Sequence, residues 1–148
     1  MAINYVQLKD LIFRCLSRHG LYSQAASQLL LGTAAVESQF GTYIRQLGGG
    51  PALGIFQMEP KTYDWLCEKF KNHYPERCWY RAEVLEHDLW QAILFARLRY
   101  KVTPEPLPDA GNLNALAHFY KKHYNTSMGK ATPAMFIDAF QRYVHDET

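Results

Sequence analysis

The sequence lacks the long apolar run and the clustered basic charge that mark two broad classes of protein. No uninterrupted apolar stretch reaches the roughly 18–20 residues that a membrane-spanning helix needs. Lysine and arginine number 16 against 14 acidic residues, and no basic run stands out. A nucleic-acid-binding domain usually carries a basic patch. We therefore expect neither stable membrane insertion nor a nucleic-acid partner.

The N-terminal residues 1–20 also lack the basic segment and long apolar core of a secretory signal peptide. This absence predicts a chain that is made in the cytoplasm. If the protein acts outside the cytoplasm, a separate pore or a virion would have to deliver it.

Cysteine is scarce, and its count is odd. Of Cys15, Cys67 and Cys78, at least one must be unpaired. Cys67 and Cys78 could pair, but an odd count without a signal peptide favours reduced thiols. Neither the cysteine spacings nor the scattered histidines match a zinc site. We expect no metal and no cofactor. The histidines are His19, His73, His87, His118, His123 and His145.

What the sequence does contain is helical periodicity in nearly every segment. With 148 residues and 48% hydrophobic residues, the chain predicts one all-α domain spanning 1–148, with about six helices. Ser23 and Thr132 are predicted N-caps, and Gly20 ends the first helix. The predicted helices cover 5–18, 23–39, 60–70, 82–101, 112–124 and 133–145, with loops at 41–58 and around the proline-rich "VTPEPLPDAGN".

The most unusual stretch is "TAAVESQFGTYIRQLGGGPALGIFQMEP", residues 33–60. On the second helix, Glu37 shares a face with Thr33, Ala34 and Phe40, which are small or apolar. A carboxyl group in such surroundings has a raised pKa, because burial disfavours its charged form. A general acid working near neutral pH needs this property.

A structural role for Glu37 is the competing interpretation, with the carboxylate paired to an arginine such as Arg45. Two neighbouring features favour function. The glycine run at 48–50 would let backbone approach a ligand closely, and "GIFQM" places the polar Gln57 among apolar residues.

These residues resemble the lysozyme-like superfamily, and within it the soluble lytic transglycosylase and goose-type lysozyme group. The resemblance rests on Glu37-Ser38, on Gly54 and Gln57 in "ALGIFQMEPKT", and on the later "LNALAHFYKKHYNT". It spans roughly residues 25–125 and suggests a compact phage-type member. It implies a helical domain with a cleft, and cleavage of the β-1,4 bond between N-acetylmuramic acid and N-acetylglucosamine in peptidoglycan.

The resemblance also implies roles for individual residues. Glu37 would be the catalytic acid and base, while Ser38, Gly54, Gln57 and Tyr120 would bind substrate or orient Glu37. The sequence departs from the family pattern at Phe56, where methionine is usual. It departs again near its tyrosine, because Phe119-Tyr120 occupies the aligned place and Tyr124-Asn125 follows. Tyr120 could equally be a core residue.

Three alternatives stay open. A hydrolytic muramidase would need a second carboxylate, for which Glu59 and Asp64 are candidates, although Glu59 also suits a helix N-terminus. Without a clear second carboxylate, the single-glutamate transglycosylase is favoured. The chain could instead be a non-catalytic, virion-associated module that binds glycan, or a helical adaptor.

Overall fold

The computed structural model describes residues 2–125 and 129–144. Within these ranges the chain forms six α-helices and no β-strand, which confirms the predicted all-α class. None of the helices described is long and apolar enough to cross a membrane. The helices are α1 (Tyr5–Arg18), α2 (Gln24–Ser38), α3 (Pro60–Phe70), α4 (Leu89–Lys101), α5 (Leu113–Tyr120) and α6 (Pro133–Tyr143).

Side-chain caps set several of the helix starts. The Ser23 side chain accepts a hydrogen bond from the Ala26 amide at the start of α2, and Thr132 caps α6 by accepting from Met135. Both N-caps agree with the prediction. Each satisfies a backbone donor that the first helical turn leaves without a partner, which typically contributes about 1 kcal/mol.

The single helix predicted over 82–101 is wrong. The structure divides it into a 3₁₀ helix, Ala82–Glu86, and α4, which begins at Leu89. The break falls at Asp88, whose carboxylate accepts from the Gln91 amide at 3.0 Å and starts a new helix. Aspartate is favourable at an N-cap. The helical spacing of apolar residues continues across the break, so the sequence pattern does not reveal it.

The C-terminal helices also differ from the prediction. The helix expected over 112–124 is α-helical only to Tyr120, and Lys121–Asn125 then forms one π-helical turn. Such turns are rare and frequently lie at functional sites. The helix predicted over 133–145 ends at Tyr143. Its last predicted residue lies outside the described residues.

The core is built around α2, which packs against α1, α4, α5 and α6. Most of its residues are buried, so its sequence is small and apolar on nearly all sides. At Gly32, an added Cβ would lie 2.1 Å from Cζ of the Phe136 ring. The glycine therefore allows α6 to approach α2 closely, and this packing fixes the position of the helix whose last turn carries Glu37.

The chain reverses sharply just after α2. Gln39, Phe40 and Gly41 have φ angles of 51°, 57° and 74°, three successive residues in the left-handed region. Non-glycine residues adopt this region at a cost of about 1–2 kcal/mol. Phe40 is buried and stacks on Tyr143 at 5.5 Å, so packing offsets that cost. The reversal directs the following loop, residues 41–58, back across the end of α2.

Candidate active site

A cavity of about 740 Å³ lies at the C-terminal end of α2. The end of α2, the 41–58 loop, the first turn of α3, the end of α4, the π-helical turn and residues 129–131 all contribute to its wall. Residues that line it include Val36, Glu37, Tyr43, Gln46, Gln57, Glu59, Lys61, Thr62, Arg99, Tyr120, Tyr124 and Asn125. Of the five residues predicted to form the site, the cavity brings together Glu37, Gln57 and Tyr120.

Glu37 lies on this cavity and is held by a tyrosine. The hydroxyl of Tyr120 donates a hydrogen bond to Oε2 of Glu37. Tyr120 is fully buried at the end of α5, so its ring cannot turn freely. Tyr43 lies on the other side and donates from its hydroxyl to the Glu37 backbone carbonyl at 3.0 Å. The Tyr120 bond therefore positions the carboxyl group, and the Tyr43 bond holds the backbone from which the side chain extends.

The surroundings of Glu37 determine its protonation. Burial raises the pKa of Glu37 from its usual 4.5 to about 7, and the hydrogen bond from Tyr120 opposes this rise. The predicted direction of the pKa shift is thus present in the structure. At neutral pH both protonation states are populated, so the group can give up a proton or accept one.

A cluster of tyrosines surrounds the carboxyl group. Tyr124 stacks on Tyr120 at 6.0 Å and on Tyr100 at 5.3 Å. Burial and the nearby Glu37 raise the pKa of Tyr120 and Tyr124, so both phenols stay protonated and act as hydrogen-bond donors. The Tyr124 hydroxyl uses its proton to bind the Phe56 carbonyl at 2.7 Å, which ties the π-helical turn to the 41–58 loop.

Gln57 lines the cavity, but its side-chain amide also makes a hydrogen bond within its own loop. It is in the left-handed region with φ of 49°, and its Nε2 donates to the Gly54 carbonyl at 2.9 Å. Gly54 itself lies behind the wall with φ of 80°, and a Cβ there would be 2.2 Å from the Leu85 carbonyl oxygen. Gly54 therefore acts through the shape of the loop and does not line the cavity.

Ser38 also lies behind the cavity wall. It is fully buried, and its hydroxyl donates to the Ile55 carbonyl at 2.6 Å while it accepts from the Gly41 amide at 2.8 Å. These bonds join the end of α2 to both ends of the following loop. The substrate contact expected of Ser38 is not available in this arrangement, because the hydroxyl is enclosed. Its contribution is to position Glu37 and the loop.

The structural alternative for Glu37 had named Arg45 as its partner, and that pairing is wrong. Arg45 lies on the surface and forms an ion pair with Glu86 at 3.0 Å. Only one of the two candidates for a second carboxylate lies on the cavity. Glu59 lines the cavity, while Asp64 is exposed on α3 and does not.

The glycine run at 48–50, predicted to let backbone approach a ligand, does not line the cavity. Gly48 and Gly49 have φ angles of 84° and 85° with open space beside them, and neither lines the cavity. Their neighbours Gln46 and Leu47 do. The glycines therefore supply the turn that presents these two side chains.

Tyr43 and Arg99 are among the cavity residues that sequence reasoning missed. Arg99 is half-buried near the end of α4 and contributes positive charge to the cavity wall. An arginine that follows a continuous apolar pattern looks like an ordinary surface residue, and only the tertiary fold turns it towards the cavity. The described histidines, all those except His145, do not line it.

The described residues thus define an all-helical protein with a half-buried, ionisable carboxyl group at the wall of a large cavity. Comparison of the chain with protein-family models, with curated proteins and with solved structures found no match.

Proposed function

We propose that this chain has a lysozyme-like fold and cleaves the β-1,4 bond between N-acetylmuramic acid and N-acetylglucosamine in peptidoglycan, as a lytic transglycosylase. The observation that carries the proposal is Glu37, a carboxyl group with a pKa raised to about 7 on the wall of a large cavity. The resemblance of its surrounding motif supplies the substrate class. Delivery to the wall by a pore or within a virion is part of the proposal.

The proposed reaction uses Glu37 twice. Protonated Glu37 gives its proton to the glycosidic oxygen while the bond to the muramic C1 breaks through an oxocarbenium-like transition state. The carboxylate then takes the proton of the muramic 6-hydroxyl, whose oxygen bonds to C1 and closes a 1,6-anhydro ring. No water is consumed, and Glu37 ends as it began, protonated.

The protonation balance of Glu37 suits this double role. An acid with a pKa near the working pH is efficient in both directions of proton transfer. The burial that raises the pKa also lowers the local dielectric, which strengthens interactions with the developing positive charge of the sugar.

Other groups on the cavity wall fit a peptidoglycan strand. Gln46 and Asn125 offer amides, and Tyr43 offers an aromatic face with a polar tip. Lys61 and Arg99 add positive charge. Peptidoglycan carries carboxylates on its peptide stems, and guanidinium groups bind carboxylates in bidentate fashion.

One observation favours a second candidate, a hydrolytic muramidase. Glu59 lines the same cavity as Glu37, and its side chain makes no capping hydrogen bond at the start of α3. A carboxylate free of that structural duty is available to act on water or on the sugar.

The experiment that tests the proposal combines a Glu37→Gln variant with product analysis. Removing a general acid costs about 10²–10⁴-fold in rate, so Glu37→Gln should abolish clearing of purified peptidoglycan while its circular dichroism stays helical. Mass spectrometry of the wild-type products should show anhydro-muramyl ends. Full activity in Glu37→Gln would contradict the catalytic role.

Glu59→Gln is the matched control on the same cavity. In a transglycosylase it should keep most of the activity and still form anhydro ends. Reducing ends in the wild-type products, together with loss of activity in Glu59→Gln, would establish the muramidase instead. Binding of peptidoglycan without any cleavage would indicate a glycan-binding module.

A further inference from the structure

A second polar cluster lies away from the Glu37 cavity, where α3, α4 and the 71–81 loop meet. It contains Tyr63 and Cys67 from α3, Cys78 from the loop and Gln91 from α4. None of these side chains lines the cavity. The two cysteines are unpaired and only partly buried. The proposed reaction makes no use of them.

The two thiols are neighbours in this cluster. Cys67 follows Tyr63 by one helical turn, so both side chains leave α3 on the same face. Cys67 and Cys78 both pack against the hydrophobic core, and burial raises the pKa of both thiols, with each thiol also shifting the pKa of the other. A disulfide between them would bring the two sulfur atoms to the S–S bond length of about 2.05 Å.

The backbone on both sides of Cys78 is fixed by buried donors. Tyr63 donates from its hydroxyl to the Tyr80 carbonyl at 2.9 Å, and Gln91 donates from Nε2 to the Arg77 carbonyl at 2.6 Å. Gln91 also donates to the Tyr63 hydroxyl at 3.0 Å. Because Gln91 is fully buried and Tyr63 is too, these bonds hold the loop on α3. The approach of Cys78 to Cys67 is therefore built into the fold.

We propose that Cys67 and Cys78 are a redox modification site and form an intramolecular disulfide when the folded protein meets a disulfide oxidant. Two S–H bonds break and one S–S bond forms, releasing two protons and two electrons. The oxidant's own disulfide takes these up and becomes two thiols. The formation of the disulfide does not depend on the proposed function. Only the expectation that the protein meets an oxidising compartment outside the cytoplasm rests on that function.

The disulfide would stabilise the wall of the cavity. A cross-link between Cys67 and Cys78 restricts the unfolded chain and ties the 71–81 loop to α3. The first turn of α3 carries Lys61 and Thr62 to the cavity. The oxidised protein should therefore keep its site intact to a higher temperature than the reduced protein.

Two properties define the expected course of oxidation. Burial raises the pKa of the Cys67 thiol to about 12, so the reactive thiolate is scarce at neutral pH and oxidation should accelerate as pH rises. Cys15 is fully buried and donates to the Trp90 carbonyl at 3.6 Å. It should stay reduced while the protein remains folded.

The test is oxidation of the folded, full-length protein with oxidised glutathione, followed by alkylation, peptide mapping and thermal unfolding. We expect a peptide cross-linked through Cys67 and Cys78, with Cys15 alkylated. The Tm should rise by about 5–10 °C, as expected for a short loop in a chain of this size. Cys67→Ser and Cys78→Ser should show no rise, while Cys15→Ala should show the same rise as the wild type.

Several results would overturn the proposal. They are stable glutathione adducts on Cys67 or Cys78, disulfide-linked dimers, a bond involving Cys15, or two thiols that stay free at alkaline pH. A correctly formed bond without a gain in Tm would overturn the stabilising role. All these measurements are made without peptidoglycan, so they succeed or fail independently of the proposed activity.

Discussion

Two polar clusters in the described part of the chain use the same contact, a helix side chain hydrogen-bonded to a tyrosine hydroxyl. Gln91 bonds Tyr63, and Glu37 bonds Tyr120. Gln91 is fully buried and uses its amide donors to hold a loop. Glu37 remains partly exposed on a large cavity. The contact alone therefore does not identify a functional site.

The difference between the clusters lies in charge and in access. The neutral amide of Gln91 adds to stability through the two hydrogen bonds that its Nε2 donates, although its buried Oε1 has no hydrogen-bond partner among the described residues. A carboxylate that is largely buried lacks the hydration that it would have in water, so burial raises its pKa and the fold loses stability as the group ionises. A fold that keeps such a group beside a cavity loses stability at neutral pH, and packing of the core does not require this loss. This cost supports the proposal that Glu37, and not Gln91, takes part in catalysis.

The largest expected effect concerns Glu37→Gln and the free energy of unfolding. The pKa of Glu37 is raised to about 7 from 4.5, so its folded state binds the proton more tightly than the unfolded chain does. The associated stability is present below pH 4.5 and is lost as pH rises to about 7. The neutral variant avoids this loss and should be more stable than wild type by up to about 3 kcal/mol at pH 8.

Urea unfolding of both proteins from pH 4.5 to pH 8 measures this difference. The gap in unfolding free energy should open with rising pH, since the contributions of all other carboxyl groups cancel in the comparison. A gap that is constant with pH, or that favours the wild type at pH 8, would contradict the raised pKa.

A smaller effect is expected from Gln91→Met, which keeps the volume of the side chain but removes its donors. The half-buried Arg77 carbonyl loses its hydrogen-bond partner, while removal of the unpartnered Oε1 offsets part of this loss, so the free energy of unfolding should fall by about 1–2 kcal/mol. Gln46→Met is the matched control, since Gln46 is exposed and accepts a single bond from the Ala52 amide.

Urea unfolding at pH 7 compares the two glutamine variants. Gln46→Met should cost less than about 1 kcal/mol. Equal costs would mean that the buried network around Gln91 is not a source of stability, and the comparison with Glu37 would fail.

Local rules predicted most of the fold. Helical spacing together with the caps Ser23 and Thr132 placed α2 and α6 to within a residue or two at their starts. The rules failed at Asp88, where an apolar pattern ran across a helix start, and after Tyr120, where the helix changes to a π-helical turn. Periodicity measures which face is buried and is insensitive to a short change in winding.

The candidate site was predictable only in part. The apolar face of α2 indicated Glu37 and the direction of its pKa shift, because both depend on neighbours in the same helix. The hydrogen bond between Tyr120 and Glu37 joins residues 83 positions apart in the sequence, and Arg99 reaches the cavity from α4. Ser38 and Gly54 belong to the motif that gave the family resemblance. Their enclosure behind the cavity wall depends on how the loop folds onto α2 and the 3₁₀ helix, which the motif does not predict.

The smallest effect comes from a pair of tyrosine variants that separates the two clusters directly. Tyr120→Phe and Tyr63→Phe each remove one buried hydroxyl, and each should cost about 1 kcal/mol of stability. Only Tyr120→Phe removes a hydrogen bond that lowers the pKa of Glu37, so only this variant should raise that pKa further.

Carbon-detected NMR titration of the Glu37 carboxyl group measures the shift without reference to any substrate. The titration midpoint should move to higher pH in Tyr120→Phe and stay unchanged in Tyr63→Phe. If the protein cleaves peptidoglycan, the alkaline limb of its pH–rate profile should move in the same direction. An unchanged midpoint in Tyr120→Phe would give Tyr120 the purely structural role that Tyr63 has. A shift in both variants would mean that a general change in the fold, and not loss of the hydrogen bond to Glu37, changes the pKa.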